Sequence, residues 1–267
     1  MKSVVITGSA RGLGFYMAKV FRLNNYNVVI SDINKDNLEK AKNELLNIKS
    51  NAEVGSFLCD VTKSSDVKDL IEYSKNLFSN IDIWINNAGV NQPDKAIWEL
   101  SEKEIDLVFD IDLKGAVIGS KLVMEEMLKV HKGAIYNVEG YGSNDAMMLG
   151  LSVYGTSKRA ITYFTQALAK ENEERNTGII IGRLSPGIMI TDFITKAFGD
   201  GEVIELPERT KKVYNILGDY PDVVAEFLVN KMINNTKNNA HIEWLTNGKA
   251  AWRFMTAMFN KRDFFNK

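Results

Sequence analysis

Thr7-Gly8-Ser9-Ala10-Arg11-Gly12-Leu13-Gly14 lies directly after a short β-branched run, Ser3 to Thr7, and opens an apolar helical segment, Leu13 to Leu23. A strand that passes into a helix through three glycines brings bare backbone N–H groups and the positive end of a helix dipole to one point. Residues without Cβ let the chain turn tightly there and approach a diphosphate closely. Eighteen residues beyond Gly14, Asp32 closes the next strand, where a carboxylate accepts hydrogen bonds from the ribose of a bound adenosine. The same carboxylate repels a 2′-phosphate, so the expected cofactor is NAD. Arg11 pulls the other way, because a cation in this loop pairs with that phosphate, and it keeps NADP open.

Outward from this loop the chain repeats one theme. Short apolar runs at Ser3 to Thr7, Asn27 to Ser31, Glu53 to Cys59, Ile81 to Asn86, Ala134 to Val138, Ile179 to Leu184 and His241 to Leu245 alternate with longer segments of helical period. In Lys35 to Ile48, for example, Leu38, Ala41, Leu45 and Ile48 form one stripe. Ser64 or Ser65 is the expected cap of a helix reaching Phe78. Ser101 with Glu104 has the capping-box form before a long helix to about Val130, and a second long helix runs from Ser152 to near Gly178. The pattern predicts an α/β fold, a single-domain doubly wound parallel sheet of about seven strands with helices on both faces. Residues 1–248 are expected to form the dinucleotide-binding catalytic domain, with 191–220 a mobile substrate loop and 249–267 a basic, aromatic extension.

Composition narrows the function. Thirty-three Lys and Arg against thirty-four Asp and Glu leave a net charge of -1, which gives nucleic acid no electrostatic reason to bind. Cys59 is the sole cysteine, so no internal disulfide forms, and with only His131 and His241 no metal site is expected. Arg11 follows soon after Val4-Val5-Ile6, no leader pattern opens the chain, and no long uncharged apolar stretch suggests a membrane span. The expected location is cytoplasmic.

Tyr154-Gly-Thr-Ser-Lys158 carries the chemistry. Residues at i and i+4 share one helix face, and an ammonium beside a phenol stabilises its phenolate and eases proton exchange. Together with the glycine turn, Asp60-Val61 after the third strand, Asn86-Asn87-Ala88-Gly89 at the end of the fourth, and Pro186-Gly187 with Thr191 after the sixth, this motif resembles the short-chain dehydrogenase/reductase family over roughly residues 3 to 195. The resemblance implies hydride transfer between a nicotinamide cofactor and a carbonyl or alcohol. Tyr154 would exchange the proton, and Lys158 would tune it and hold the nicotinamide ribose. Gly8, Ser9, Arg11, Gly12, Leu13, Gly14, Asp32, Asp60, Val61, Asn87, Ala88, Gly89, Pro186, Gly187 and Thr191 would bind the cofactor together with that pair. Homo-oligomerisation through the two long helices is also implied.

Two sites depart from the family. Glu139 and Gly140 stand where a Ser-Ser pair is usual, which leaves Ser143, eleven residues before Tyr154, as the expected oxygen-orienting hydroxyl, with Tyr141 or Ser152 as alternatives. Asp112 replaces the usual asparagine, whose main-chain carbonyl helps hold a relay water, and its carboxylate is a candidate partner for Lys158. The stretch from residue 134 to 190 is similar to a branch that includes chlorophyll b reductase-like proteins, which hints at a bulky hydrophobic substrate. The tail, Lys249 to Lys267, carries five cations, one anion and five aromatics. It reads as a packed helix or a subunit interface in preference to a peripheral membrane contact. The competing functional reading is an NAD(P)-binding regulatory or scaffold protein with impaired catalysis.

Overall fold

The structure, a computed structural model, describes residues 1–144, 146–191 and 206–265. Its seven strands are β1 (Ser3–Ile6), β2 (Asn27–Asp32), β3 (Val54–Leu58), β4 (Ile83–Asn86), β5 (Gly133–Val138), β6 (Ile179–Ser185) and β7 (Ala240–Glu243). They form one sheet in the order β3-β2-β1-β4-β5-β6-β7, parallel throughout. The expected strands are all present, with ends displaced by one or two residues.

Alternation along the strands explains the two-sided core. Val4, Ile6, Val28, Ile30, Ile83 and Ile85 point to one face, against Met17 and Phe21 of α1 (Gly12–Leu23), Leu38 and Leu45 of α2 (Lys35–Leu46), and Val224 and Leu228. The residues between them, Val5, Val29 and Trp84, with Ile135 and Ile181, point to the other, against Leu70 of α3 (Ser64–Phe78) and against Leu122 and Ala169. The serine cap expected for α3 is corrected: its cap position is Lys63, no side chain bonds there, and Ser64 is already helical.

The expected continuous helix from Ser101 to Val130 is also corrected. Ser101 and Glu104 do form the capping box of α4 (Glu102–Val108), but Phe109–Gly115 widens into a π-helical stretch before α5 (Ala116–Val130). Such widening inserts a residue into the helix and recurs at functional positions. It brings Asp112 and Gly115 to buried positions, with Gly115 against Val61. The second long helix, α6, spans Ser152–Glu174 and ends short of Gly178.

Beneath the site a buried polar chain ties helices to strands. Trp84 Nε1 donates to Asn86 Oδ1 at 2.7 Å; Asn86 Nδ2 donates to Ser120 Oγ at 2.9 Å and to Asn137 Oδ1 at 2.7 Å; Asn137 Nδ2 donates to Thr165 Oγ1 at 2.8 Å. These bonds join β4, β5, α5 and α6, and every buried group in them has a partner, which is the condition for a polar network to rigidify a core.

After β6 come α7 (Glu208–Leu217), α8 (Pro221–Ile233) and α9 (Asn247–Thr256). Residues 192–205, just under half of the expected mobile loop, lie outside the described residues, as do 266–267. The tail is pinned. Arg253 and Arg262 both pair with Asp219, at 2.7 and 3.0 Å, and Lys249 Nζ lies 2.8 Å from the centroid of the Trp244 ring. Three of the tail's cations are therefore engaged within the chain. No described helix is long and apolar enough to cross a membrane.

Candidate active site

Strand order reverses between β1 and β4, and in such sheets ligands occupy the crevice beyond the C-terminal strand ends at that point. The glycine loop lies at this crevice, held by its neighbour. Asn87 Nδ2 donates to the carbonyls of Thr7 and Gly8 at 2.9 and 2.8 Å, while Thr7 Oγ1 accepts from the amides of Asn87 and Ala88 at 3.0 and 3.1 Å. Gly8 has φ +59° and a Cβ there would stand 2.6 Å from Ala88 Cα; at Gly14 it would stand 2.5 Å from Asn87 Nδ2. Gly12 differs: its φ is +58°, yet a Cβ would meet nothing within 4 Å.

These features fit a dinucleotide. The N-terminus of α1 has no side-chain cap and no acidic residue in its first turn, so its N–H groups suit a phosphate, and open space adjoins Gly12. Leu13 and Ser9 are buried, with Ser9 Oγ bonded to Ile6 O and accepting from Ser31 N; Arg11 is exposed. Asp32 braces the loop from β2, accepting from Ala10 N at 3.3 Å and from Asn34 N at 3.0 Å. Asp60 accepts from the Thr62 amide and hydroxyl; burial raises its carboxyl, but those bonds and Lys63 outweigh it and hold the group below the usual range. Val61 is buried beside Gly115. Across the crevice Pro186 is buried, Gly187 has φ +72°, and Thr191 adjoins residues outside the described ones.

The sequence-predicted pair does come together at the reacting end. Tyr154 and Lys158 are buried on α6, with Lys158 Nζ 5.5 Å from the ring centroid of Tyr154. Gly89 is adjacent: a Cβ there would stand 3.3 Å from Lys158 Nζ. Burial pushes the Tyr154 phenol up to about 12, the Lys158 cation pulling it down and Asp112 and Tyr214 adding to the rise. Burial would lower Lys158, but Asp112, at 3.0 Å from Nζ, together with Tyr154 and Glu139 outweighs it and holds the ammonium above its ordinary value.

Ser143 is placed on the Gly140–Ser143 turn, where its hydroxyl accepts from Gly140 N at 3.1 Å and donates to Lys158 O at 3.4 Å. It ties the loop to α6. Tyr141 is exposed and bonds Met147 O; Ser152 is exposed in the first turn of α6.

Three features escape sequence reasoning. Gln92 is buried, and its Oε1 accepts from the amides of Val153 and Tyr154, both at 2.8 Å, capping α6 from a distant loop. Glu139 is buried with Thr162 Oγ1 at 2.7 Å, His241 Nε2 at 3.1 Å, Arg183 Nη1 at 3.4 Å and the Ser185 hydroxyl around its carboxylate. Burial raises this acid, yet the bonds from His241, Ser185 and Thr162 win and hold it at about 2. Gly140 packs directly on the Tyr154 ring and hydroxyl. Glu139 and Gly140 were marked in the sequence as a departure from the family, which did not reveal their contacts, and Gln92 carried no local signal. Among the described residues no three His, Cys, Asp or Glu side chains cluster to hold a metal.

The short chain dehydrogenase family model matches residues 2–200. The probable chlorophyll(ide) b reductase NYC1 of Oryza sativa subsp. japonica, a chloroplastic protein, is 30% identical over 282 residues, covering 100% of this chain and 54% of the relative. The chain thus spans about half the length of that relative. The uncharacterized oxidoreductase YxbG of Bacillus subtilis (strain 168) is 35% identical over 201 residues, 75% of this chain and 71% of the relative. A crystal structure of 3-ketoacyl-(acyl-carrier-protein) reductase from Brucella melitensis complexed with NADH shares the fold, with a TM-score of 0.80 at 22% identity over 93% of this chain and 98% of that one. With the Tyr154–Lys158 helix and the glycine loop at one crevice, the chain belongs to the short-chain dehydrogenase/reductase family.

Proposed function

We propose that this chain interconverts a carbonyl compound and its alcohol, with Tyr154 moving the proton. The observation that carries the reading is the buried Tyr154–Lys158 pair, packed on Gly140 at the end of β5 and on Gly89 beyond β4, at the sheet edge that also bears the glycine loop. When bound, the dinucleotide supplies or accepts the hydride. Gly8, Ser9, Arg11, Gly12, Leu13 and Gly14 hold its diphosphate, Asp32 takes the adenosine ribose, and Asp60 and Val61 flank the adenine. Asn87, Ala88, Gly89, Pro186, Gly187, Thr191 and the Lys158 ammonium position the nicotinamide half. NAD is the preferred form on this reading, because a carboxylate at Asp32 that takes the ribose repels a 2′-phosphate; Arg11 is the residue that favours NADP.

In reduction the Tyr154 O–H donates to the carbonyl oxygen; in oxidation the same oxygen takes the alcohol proton. Ser143 serves by closing the loop that seats Gly140 against this hydroxyl. A bulky hydrophobic substrate is favoured by the relative named as a chlorophyll(ide) b reductase and by the exposed Trp98, Met147 and Leu149 on loops that meet where Asp94 packs on Gly150, before α6.

A panel of aldehydes, ketones and large hydrophobic carbonyls, offered with NADH and with NADPH, tests the reading by consumption of the reduced nicotinamide. Tyr154→Phe is expected to lower turnover by about 10²–10⁴-fold while dinucleotide affinity persists. Asp112 beside Lys158 and the engaged Ser143 hydroxyl favour a second reading, a nucleotide-binding scaffold. Binding without consumption by the parent chain supports that alternative.

A further inference from the structure

The cation of the site is not alone. Lys158 Nζ and Asp112 Oδ2 lie 3.0 Å apart, with side chains 7% and 0% exposed. Two features build this placement: the π-helical stretch that carries Asp112 to its buried position, and the Val90 amide, which donates to Asp112 Oδ1 at 2.7 Å. Gly89 leaves them room, since a Cβ there would stand 3.3 Å from Nζ and 3.4 Å from Asp112 Oδ1. A lone buried cation is costly, and a well-oriented counter-charge removes much of that cost.

The other titratable groups facing the pair are Tyr154 on α6, Glu139 at the end of β5, and Tyr214 of α7 through Tyr154. Glu139 is already taken up by Thr162, Ser185, His241 and Arg183. Burial raises the carboxyl of Asp112 while Lys158 and the Val90 amide pull it down; at 3.0 Å it is the carboxylate nearest Lys158, with Glu139 adding a weaker field.

The geometry points to Asp112 as a positioning residue that anchors the Lys158 ammonium and offsets its field at Tyr154, so that Tyr154 enters each cycle as a phenol poised to donate. This inference rests on the catalytic reading of Tyr154 given above. In reduction the carbonyl carbon takes the hydride from the reduced nicotinamide and its oxygen takes the Tyr154 proton; the phenolate left behind is reprotonated from solvent. The direction served best at neutral pH is reduction, because oxidation needs the phenolate first. The rise of the phenol to about 12, to which Asp112 contributes, agrees with this role.

Asp112→Asn keeps the shape and removes the charge. Without the counter-charge the Lys158 cation acts on Tyr154 unopposed, so the phenol gives up its proton at lower pH. The ultraviolet phenolate signal is titrated in the parent chain and in Asp112→Asn, each against its Tyr154→Phe counterpart to isolate Tyr154, and the pH profile of kcat/KM for reduction is recorded beside it. The expected result is an acidward shift of about one pH unit or more, tenfold in the ionisation constant, in both measurements. Unmoved curves in both overturn the inference, because a merely structural role lowers rates without displacing the profile. Should Asp112→Asn fail to fold, Asp112→Ser carries the same titration. Loss of turnover in Tyr154→Phe with unmoved titration in Asp112→Asn sinks only the role of Asp112; full turnover in Tyr154→Phe sinks the catalytic reading beneath it.

Discussion

Gly140 and Tyr154 are in such close apposition that a Cβ at position 140 would overlap the Tyr154 hydroxyl, while standing 3.0 Å from its Cζ and 3.1 Å from Lys158 Cγ. The glycine is there for space, since its φ is not in the left-handed region. It also explains why a serine is absent from this place: any side chain would displace the phenol. Gly140→Ala is expected to lower kcat/KM by about 10²-fold, the usual scale for a misplacement of about 1 Å, with dinucleotide binding unchanged. Steady-state kinetics with a nucleotide titration check it, and full activity in the variant contradicts the packing.

Gln92 caps α6 at Val153 and Tyr154 from a loop 61 positions away. Gln92→Ala removes the acceptor of two N–H groups, for a loss of about 1–2 kcal/mol. A melting temperature lower by roughly 3–6 °C is the expected signature. An unchanged melting curve means that other acceptors serve those amides.

Glu139 is held at about 2 from an ordinary value of 4.5, with burial opposing and hydrogen bonds prevailing. A depressed carboxyl contributes stability that is fully present above its unfolded value and is lost as pH falls through the folded one. The parent chain should therefore lose stability between about pH 4.5 and about 2. Glu139→Gln lacks that contribution already at neutral pH, on the order of 3 kcal/mol, and its acid limb is shallower. Urea unfolding at several pH values decides; parallel acid limbs in the two proteins count against the clamp.

Asp32 governs the choice of dinucleotide in the proposed function. Asp32→Ala removes the charge that repels a 2′-phosphate and leaves Arg11 in place, so the ratio of kcat/KM for NADPH over NADH should rise about tenfold, or about 1.4 kcal/mol. A parent chain that already prefers NADPH contradicts the assignment.

Most of the architecture was legible because its causes are local. Val4, Val5 and Ile6 alternate faces, and the period of two recurs in every long strand. Gly8 and Gly12 announce left-handed backbone, and Tyr154 with Lys158 announces a shared helix face. The break at Phe109–Gly115 was not legible, because Asp110-Ile-Asp-Leu-Lys-Gly continues the apolar period and the inserted residue leaves no mark on it. The Ser64 cap failed for a related reason: several polar residues cluster before α3, and which one begins the helix depends on packing.

Short-range sterics and hydrophobic periodicity, both written in the chain, determined the strand and helix sequence, the glycine turn and the Tyr154–Lys158 face. The sequence offered Asp112 as a partner for Lys158, and the structure brings the two within 3.0 Å; only the folded molecule decided that Glu139 would gather Thr162, Arg183, Ser185 and His241, and that Gln92 would cap α6. Those partners come from different strands, helices and loops. A buried charge or amide takes whatever counterpart the packed chain brings within about 3 Å, and sequence spacing carries no record of that distance.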